Sequence, residues 1–177
     1  PVDARASLIV LAAQLQALQT LIGSMEKRII ALHRSSEASK RLATTPGIGI
    51  LGASAITTIV TDPKAFRSGR DFAAWVGLVP RQDSTGGKHK LGPISKQGDR
   101  YLRRILVVGA HAVLRRARQH PEKYPWLTQL LARRPFKVVA VALANKMARI
   151  AWALLAKGGH DDAGPCIDRQ PRVLFVR

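Results

Sequence analysis

Leu8, Leu11, Leu15, Leu18, Ile22, Met25, Ile29 and Leu32 recur at alternating steps of three and four residues, and this stripe limits what the chain can fold into more than any other feature. The repeat puts all of these side chains on one narrow helical face, the a/d seam of a coiled coil, and no strand can present it. The spacing predicts a coiled-coil helix over residues 1–41. Such a face needs apolar cover. Either the rest of the chain folds over it, or a second copy pairs with it as a homo-oligomer, and the spacing alone reads the same both ways. The chain starts without Met and already inside this helical pattern, so further sequence is expected upstream.

Beyond Ser35, Ser36 and Ser39 the helical pattern fades into Leu42-Ala-Thr-Thr-Pro46-Gly47-Ile48-Gly49, followed by a second apolar run through Ala53, Ala55, Ile56 and Ile59. A helix, a Pro-Gly-Ile-Gly turn and a helix form a helix-hairpin-helix pattern. In that motif glycines permit the tight turn and free N–H groups at the next helix start can meet a phosphate. Gly47 and Gly49 are therefore candidate phosphate contacts; an ordinary glycine-capped turn reads the same way. Asp62-Pro63 then breaks the chain, and Ser68 with Asp71 marks the start of a short helix carrying Phe72, Ala73 and Trp75.

Between Gly77 and Gly98, glycines and prolines alternate with Arg81, Lys88, Lys90 and Lys96 and no helical period survives, which predicts a loop or irregular hairpin. Helical spacing resumes with Tyr101, Leu102, Ile105 and Leu106 alongside Arg100, Arg103, Arg104, Arg115, Arg116 and Arg118. A short helix around Trp126 and a last, largely apolar helix from about 137 to 157 complete a compact domain over residues 42–157. Residues 158–177 lack periodicity and are read as a tail without assigned function, disordered or non-native. The predicted fold class is mainly α.

The balance of 29 Lys+Arg against 11 Asp+Glu, a net charge of +18, calls for a polyanionic partner, with nucleic acid as the default. A membrane surface competes in principle, but neither end offers a basic amphipathic anchor. The apolar run Val138–Ala156 is interrupted by Asn145, Lys146 and Arg149, which argues against a span. The single cysteine, Cys166, excludes an intrachain disulfide and a cysteine-based metal site, and fits a reducing cytoplasm. The carboxylates are scattered singly apart from one pair in the tail, and the histidines lack zinc spacing, so no metal site is expected in this chain.

The glycine-rich segment remains as the candidate for chemistry. Its hydroxyls, at Ser84, Thr85 and Ser95, sit among glycines that let a backbone approach and cations that stabilise a transferring phosphoryl group. Composition alone favours phosphate binding over catalysis there.

The run from Phe72-Ala-Ala-Trp75 through Val-Pro80-Arg-Gln-Asp-Ser84-Thr-Gly-Gly-Lys88 to Gly98-Asp-Arg-Tyr-Leu-Arg-Arg104 resembles the C-terminal transposase domain of the IS110 family of bacterial insertion sequences, its IS1111 subgroup in particular. The likeness extends upstream through Leu42–Gly49 and downstream through Val141–Trp152, covering about residues 6 to 157. It implies a DNA transposase in which a serine of the glycine-rich loop attacks the DNA backbone while a structured guide RNA selects the sites. Ser84 takes that role, with Thr85 as the adjacent alternative. Arg81, Lys88, Lys90, Lys96, Arg100, Arg103 and Arg104 are then expected to hold DNA or RNA phosphates. Family members also carry an N-terminal RuvC-like domain whose acidic residues bind magnesium. That domain is absent from this sequence, so the chain by itself is expected to be inactive and to need no cofactor of its own. A helix-hairpin-helix protein that binds nucleic acid without chemistry is the alternative reading. A coiled-coil interaction module with incidental charge is a third.

Overall fold

The computed structural model of the protein describes residues 2–82 and 91–158. Helix α1 runs Val2–Ser35, a length of 34 residues or about 51 Å. The stripe is not covered by the rest of the described chain: Leu8, Leu15, Leu18, Ile22 and Met25 are all more than half exposed, Leu8 at 66%. Burial begins only near Ile29, Ile30 and His33, where α1 meets the next two helices.

The long helix ends at Ser35, not near residue 41. Ser36 adopts an extended conformation (φ −103°, ψ 109°) and its hydroxyl accepts from the Ser39 N–H at 3.2 Å, so it caps a new helix, α2, Glu37–Ala43. The Ser39 hydroxyl in turn lies 2.7 Å from His33 Nδ1, a side-chain bond across the break. The serines that weaken the helical pattern are what turn the chain.

Helix α3, Ile50–Ile59, follows the Pro46–Gly49 turn, and a 3₁₀ turn at Pro63–Ala65 leads to α4, Gly69–Trp75. Ser68 caps α4 by accepting from the Asp71 N–H, while the Asp71 carboxylate accepts from Arg67 Nε at 3.1 Å. Strands β1, Pro80–Gln82, and β2, Leu91–Ile94, form an antiparallel hairpin with an irregular register between Pro80↔Ile94 and Gln82↔Leu91. Pro80 and Pro93 cannot donate to a ladder, which keeps it short. Three further helices follow: α5, Arg100–Gln119; α6, Pro125–Arg133; and α7, Phe136–Lys157.

The core is built around α7. Its Val139, Leu143, Ala144, Met147, Ala148 and Ala151 are fully buried against α5, α4 and α2, with Leu42, Ile56, Phe72, Leu102, Leu106 and Leu114 closing the sides. Alanines let the neighbouring helices approach closely, and at about 25 cal/mol per Å² of buried apolar surface this cluster holds the domain together. Both α1 and α7 are long and apolar enough to cross a membrane by length and composition. Nearly half (44%) of the apolar stretch of α7 is buried inside the protein, against none of that of α1.

Candidate nucleic-acid interface

The base of the hairpin is clamped at several points. Gly77 and Gly98 take positive φ (80° and 86°), and a Cβ at either would overlap backbone, the Gln97 carbonyl oxygen for Gly77 and the Trp75 carbonyl oxygen for Gly98. The Ser95 N–H donates to Val79 O at 2.9 Å and the Lys96 N–H to Gly77 O at 3.2 Å. From α5, Arg103 Nη1 donates to Val76 O at 2.9 Å and Gln97 O at 3.3 Å; from α7, Asn145 Nδ2 donates to Leu78 O at 3.2 Å. The hairpin is thus tied to the end of α4, the start of α5 and the central helix.

The predicted site residues fall into three groups around this clamp. Ser84, Thr85, Lys88 and Lys90 belong to the 83–90 connection, outside the described residues. Arg81, Lys96, Arg100 and Arg104 are exposed around the hairpin and the start of α5, and Arg81 Nη2 donates to Ser95 O at 3.3 Å, which draws its guanidinium beside Lys96. Arg103 is turned inward onto the two carbonyls above, so its guanidinium is engaged in the protein frame and is the least able of the set to meet a phosphate.

Lys96 stands in the left-handed region (φ 55°), the one described non-glycine residue to do so. That conformation costs a lysine roughly 1 kcal/mol relative to glycine, and strain of this kind collects at functional positions. Lys96→Gly is expected to raise stability slightly, by up to about 1 kcal/mol, while weakening DNA binding. Thermal melts paired with duplex titrations check this, and a variant that binds as tightly as the parent removes Lys96 from the interface.

Asp99 has a structural task that was not assigned to it from the sequence. Its Oδ1 accepts from the Leu102 N–H at 2.6 Å and caps α5, so the chain turns from hairpin to basic helix at that residue. Gly98-Asp99 ahead of a helical run carries the signal for it.

The second predicted element, the Pro-Gly-Ile-Gly turn, joins α2 to α3. Gly47 (φ 87°) is half-buried, its carbonyl pressed against Gly109 of α5, and Ile48 is 3% exposed in the core. Gly49 is exposed and caps α3 with no side-chain partner. Of the two glycines only Gly49 faces outward; Gly47 serves the turn and its packing. The turn meets α5 at Gly109, about 15 Å along the helix from Asp99.

Among the described residues no three His, Cys, Asp or Glu side chains converge on a point where a metal ion would be held.

Residues 39–125 match the family described as "Transposase IS116/IS110/IS902 family". The chain is 50% identical over 139 residues to a protein of Sinorhizobium fredii named as transposase y4pF/y4sB, covering 77% of this chain and 36% of that one. It is 52% identical over 145 residues to a protein of Pseudomonas aeruginosa named as a family 20 transposase (81% and 43%). It is 41% identical over 137 residues to the transposase for insertion sequence element IS1111A of Coxiella burnetii (77% and 38%). The chain spans about two fifths of the length of these relatives.

Proposed function

We propose that this chain, which carries an IS116/IS110/IS902-family transposase domain over residues 39–125, is the DNA-handling C-terminal part of an insertion-sequence transposase, with Ser84 as its nucleophile. The observation that carries the reading is the clamped hairpin. In sequence the connection containing Ser84 joins two strands whose base is fixed to three helices, and Arg81, Lys96 and Arg100 stand exposed at those strands and the start of α5. Attack on a phosphodiester needs positioned strands and cations near the nucleophile, and the described part of the hairpin supplies both on either side of the 83–90 connection.

In the proposed step the Ser84 hydroxyl oxygen forms a bond to phosphorus and the bond from phosphorus to one sugar oxygen breaks. The serine proton passes to a base outside the described residues, and the released sugar hydroxyl takes up a proton. The phosphoserine conserves the ester, so rejoining by the reverse reaction needs no nucleoside triphosphate. The acidic, magnesium-binding part expected of a RuvC-like domain lies outside this chain in this reading. The guide RNA that selects the sites rests on the sequence resemblance, and a net charge of +18 suits both nucleic acids. The uncovered stripe of α1 is assigned to pairing with a second copy, so that loops and acidic groups from different chains complete one site.

A binding module without chemistry is the second reading, and the exposed start of α3 at Gly49, which has no side-chain cap, favours it. A covalent protein–DNA adduct separates the two. With this chain carried in a full-length transposase and supplied with DNA, guide RNA and magnesium, wild type is expected to trap an adduct and Ser84→Ala to lose it while still binding DNA. An adduct that persists in Ser84→Ala and disappears in Thr85→Ala moves the nucleophile by one residue. No adduct in wild type leaves the binding module standing.

A further inference from the structure

Helix α5 carries six arginines, and no carboxylate lies between Asp99 and Glu122. At 3.6 residues per turn, Arg100, Arg104, Arg115 and Arg118 fall within about 60° of one another, opposite the buried Leu102, Leu106, Val113 and Ala117. All four are exposed, and among the described residues none has a carboxylate within ion-pair distance. The stripe runs five turns, about 27 Å, with half-buried His111 on it and exposed Val108 at its edge between its two charged ends. At the end far from the hairpin the Arg118 guanidinium lies over the Phe136 ring, 4.7 Å from its centre, which fixes its direction. Phe136 is flanked by Arg134 and Lys137, both exposed. A merely solvated helical face usually mixes signs; here each end of the face carries arginines alone, with no carboxylate anywhere on the helix to offset them, which suits a polyanion laid across both ends.

We infer that this face is a phosphate track, in which a nucleic-acid duplex lies along α5. It meets Arg100 and Arg104 beside the hairpin and Arg115, Arg118, Arg134 and Lys137 at the far end. At 3.4 Å per step the footprint is about eight base pairs. The ligand chemistry is the phosphodiester backbone of a duplex, DNA or RNA. The inference rests on the nucleic-acid part of the proposed function and is independent of Ser84.

The test uses the whole chain and hairpin duplexes of about six and about fourteen base pairs, the longer made in both DNA and RNA, titrated between about 50 and 200 mM salt. Wild type is expected to bind the longer duplex at least about tenfold more tightly. In the variant Arg115→Gln/Arg118→Gln/Arg134→Gln/Lys137→Gln that advantage disappears, and the slope of log K against log salt becomes shallower by about three to four, near 0.9 per lost contact. Affinity for the short duplex stays as it was. The tighter of DNA and RNA identifies the source of the backbone. A variant that keeps the parent's slope and length preference overturns the track and leaves the proposed function intact. A wild type with no salt-dependent affinity for either duplex overturns both.

Discussion

Gly109→Ala is expected to destabilise the protein by about 1–2 kcal/mol and to lower its melting temperature by roughly 2–8 °C, although the exchange lies in the middle of a helix where alanine is normally the better residue. The glycine is there because α5 and the Pro46–Gly49 turn touch backbone to backbone. A Cβ at position 109 would overlap the Gly47 carbonyl oxygen and stand 3.2 Å from Met147 Cε. A methionine tip can move aside, but the carbonyl belongs to a turn held by buried Ile48 and by the positive φ of Gly47. To make room the turn must withdraw, opening contacts to Val113 and Met147, and overpacking of this kind exceeds the roughly 1 kcal/mol that alanine returns in helix propensity. Gly23, in the exposed part of α1, has nothing within 4 Å of its would-be Cβ. Gly23→Ala should therefore shift the urea midpoint upward while Gly109→Ala shifts it downward. A gain at Gly109 would show that the turn is not held against α5.

The second large effect concerns association. If the α1 stripe pairs two copies as proposed, replacing Leu11, Leu15, Leu18 and Ile22 with Gln is expected to leave the chain a monomer without disturbing the domain. These four side chains are between 57% and 60% exposed and touch no part of the core, so folding does not depend on them. A leucine or isoleucine buried in a helix pair contributes about 1.5–3 kcal/mol, and the loss of four from each chain weakens pairing by at least about four orders of magnitude. Sedimentation equilibrium over a range of concentrations reads this directly, with circular dichroism to show that the helices remain. Because α1 has the length and composition of a membrane span, the same preparations are to be floated with neutral liposomes. A parent chain that stays monomeric at high concentration, or that floats with the lipid, overturns the pairing.

What could be read from the sequence was what depends on neighbours along the chain. The three-four spacing gave α1, the apolar run gave α7, Ser68 with Asp71 gave the start of α4, and glycines and prolines between 77 and 98 gave an irregular hairpin. Arg103 could not be told from Arg104 in this way. The two arginines are adjacent in sequence, yet only the fold decides that one reaches Val76 O and Gln97 O while the other stays in solvent. The meeting of Gly47 with Gly109 joins segments more than sixty residues apart and leaves no local trace. The left-handed lysine at 96 is likewise imposed by the clamp around it, since nothing in Ser95-Lys96-Gln97 asks for that conformation. Of the candidate site, the cationic surroundings of the hairpin lie within the described residues, whereas the proposed nucleophile does not.

The junction at Ser36 has a consequence of scale. Helix α1 is rooted on the domain only through its last two turns and the bond between His33 and Ser39, while about 40 Å of it extends beyond them. It is a lever with its fulcrum at a single capped break. A tilt of about ten degrees there displaces the far end by about 7 Å, more than one helical turn, whereas the stripe itself transmits none of that freedom once paired. If two copies pair through this stripe as proposed, the spacing of their hairpins depends less on the leucines than on the angle set by a serine and a histidine at this break.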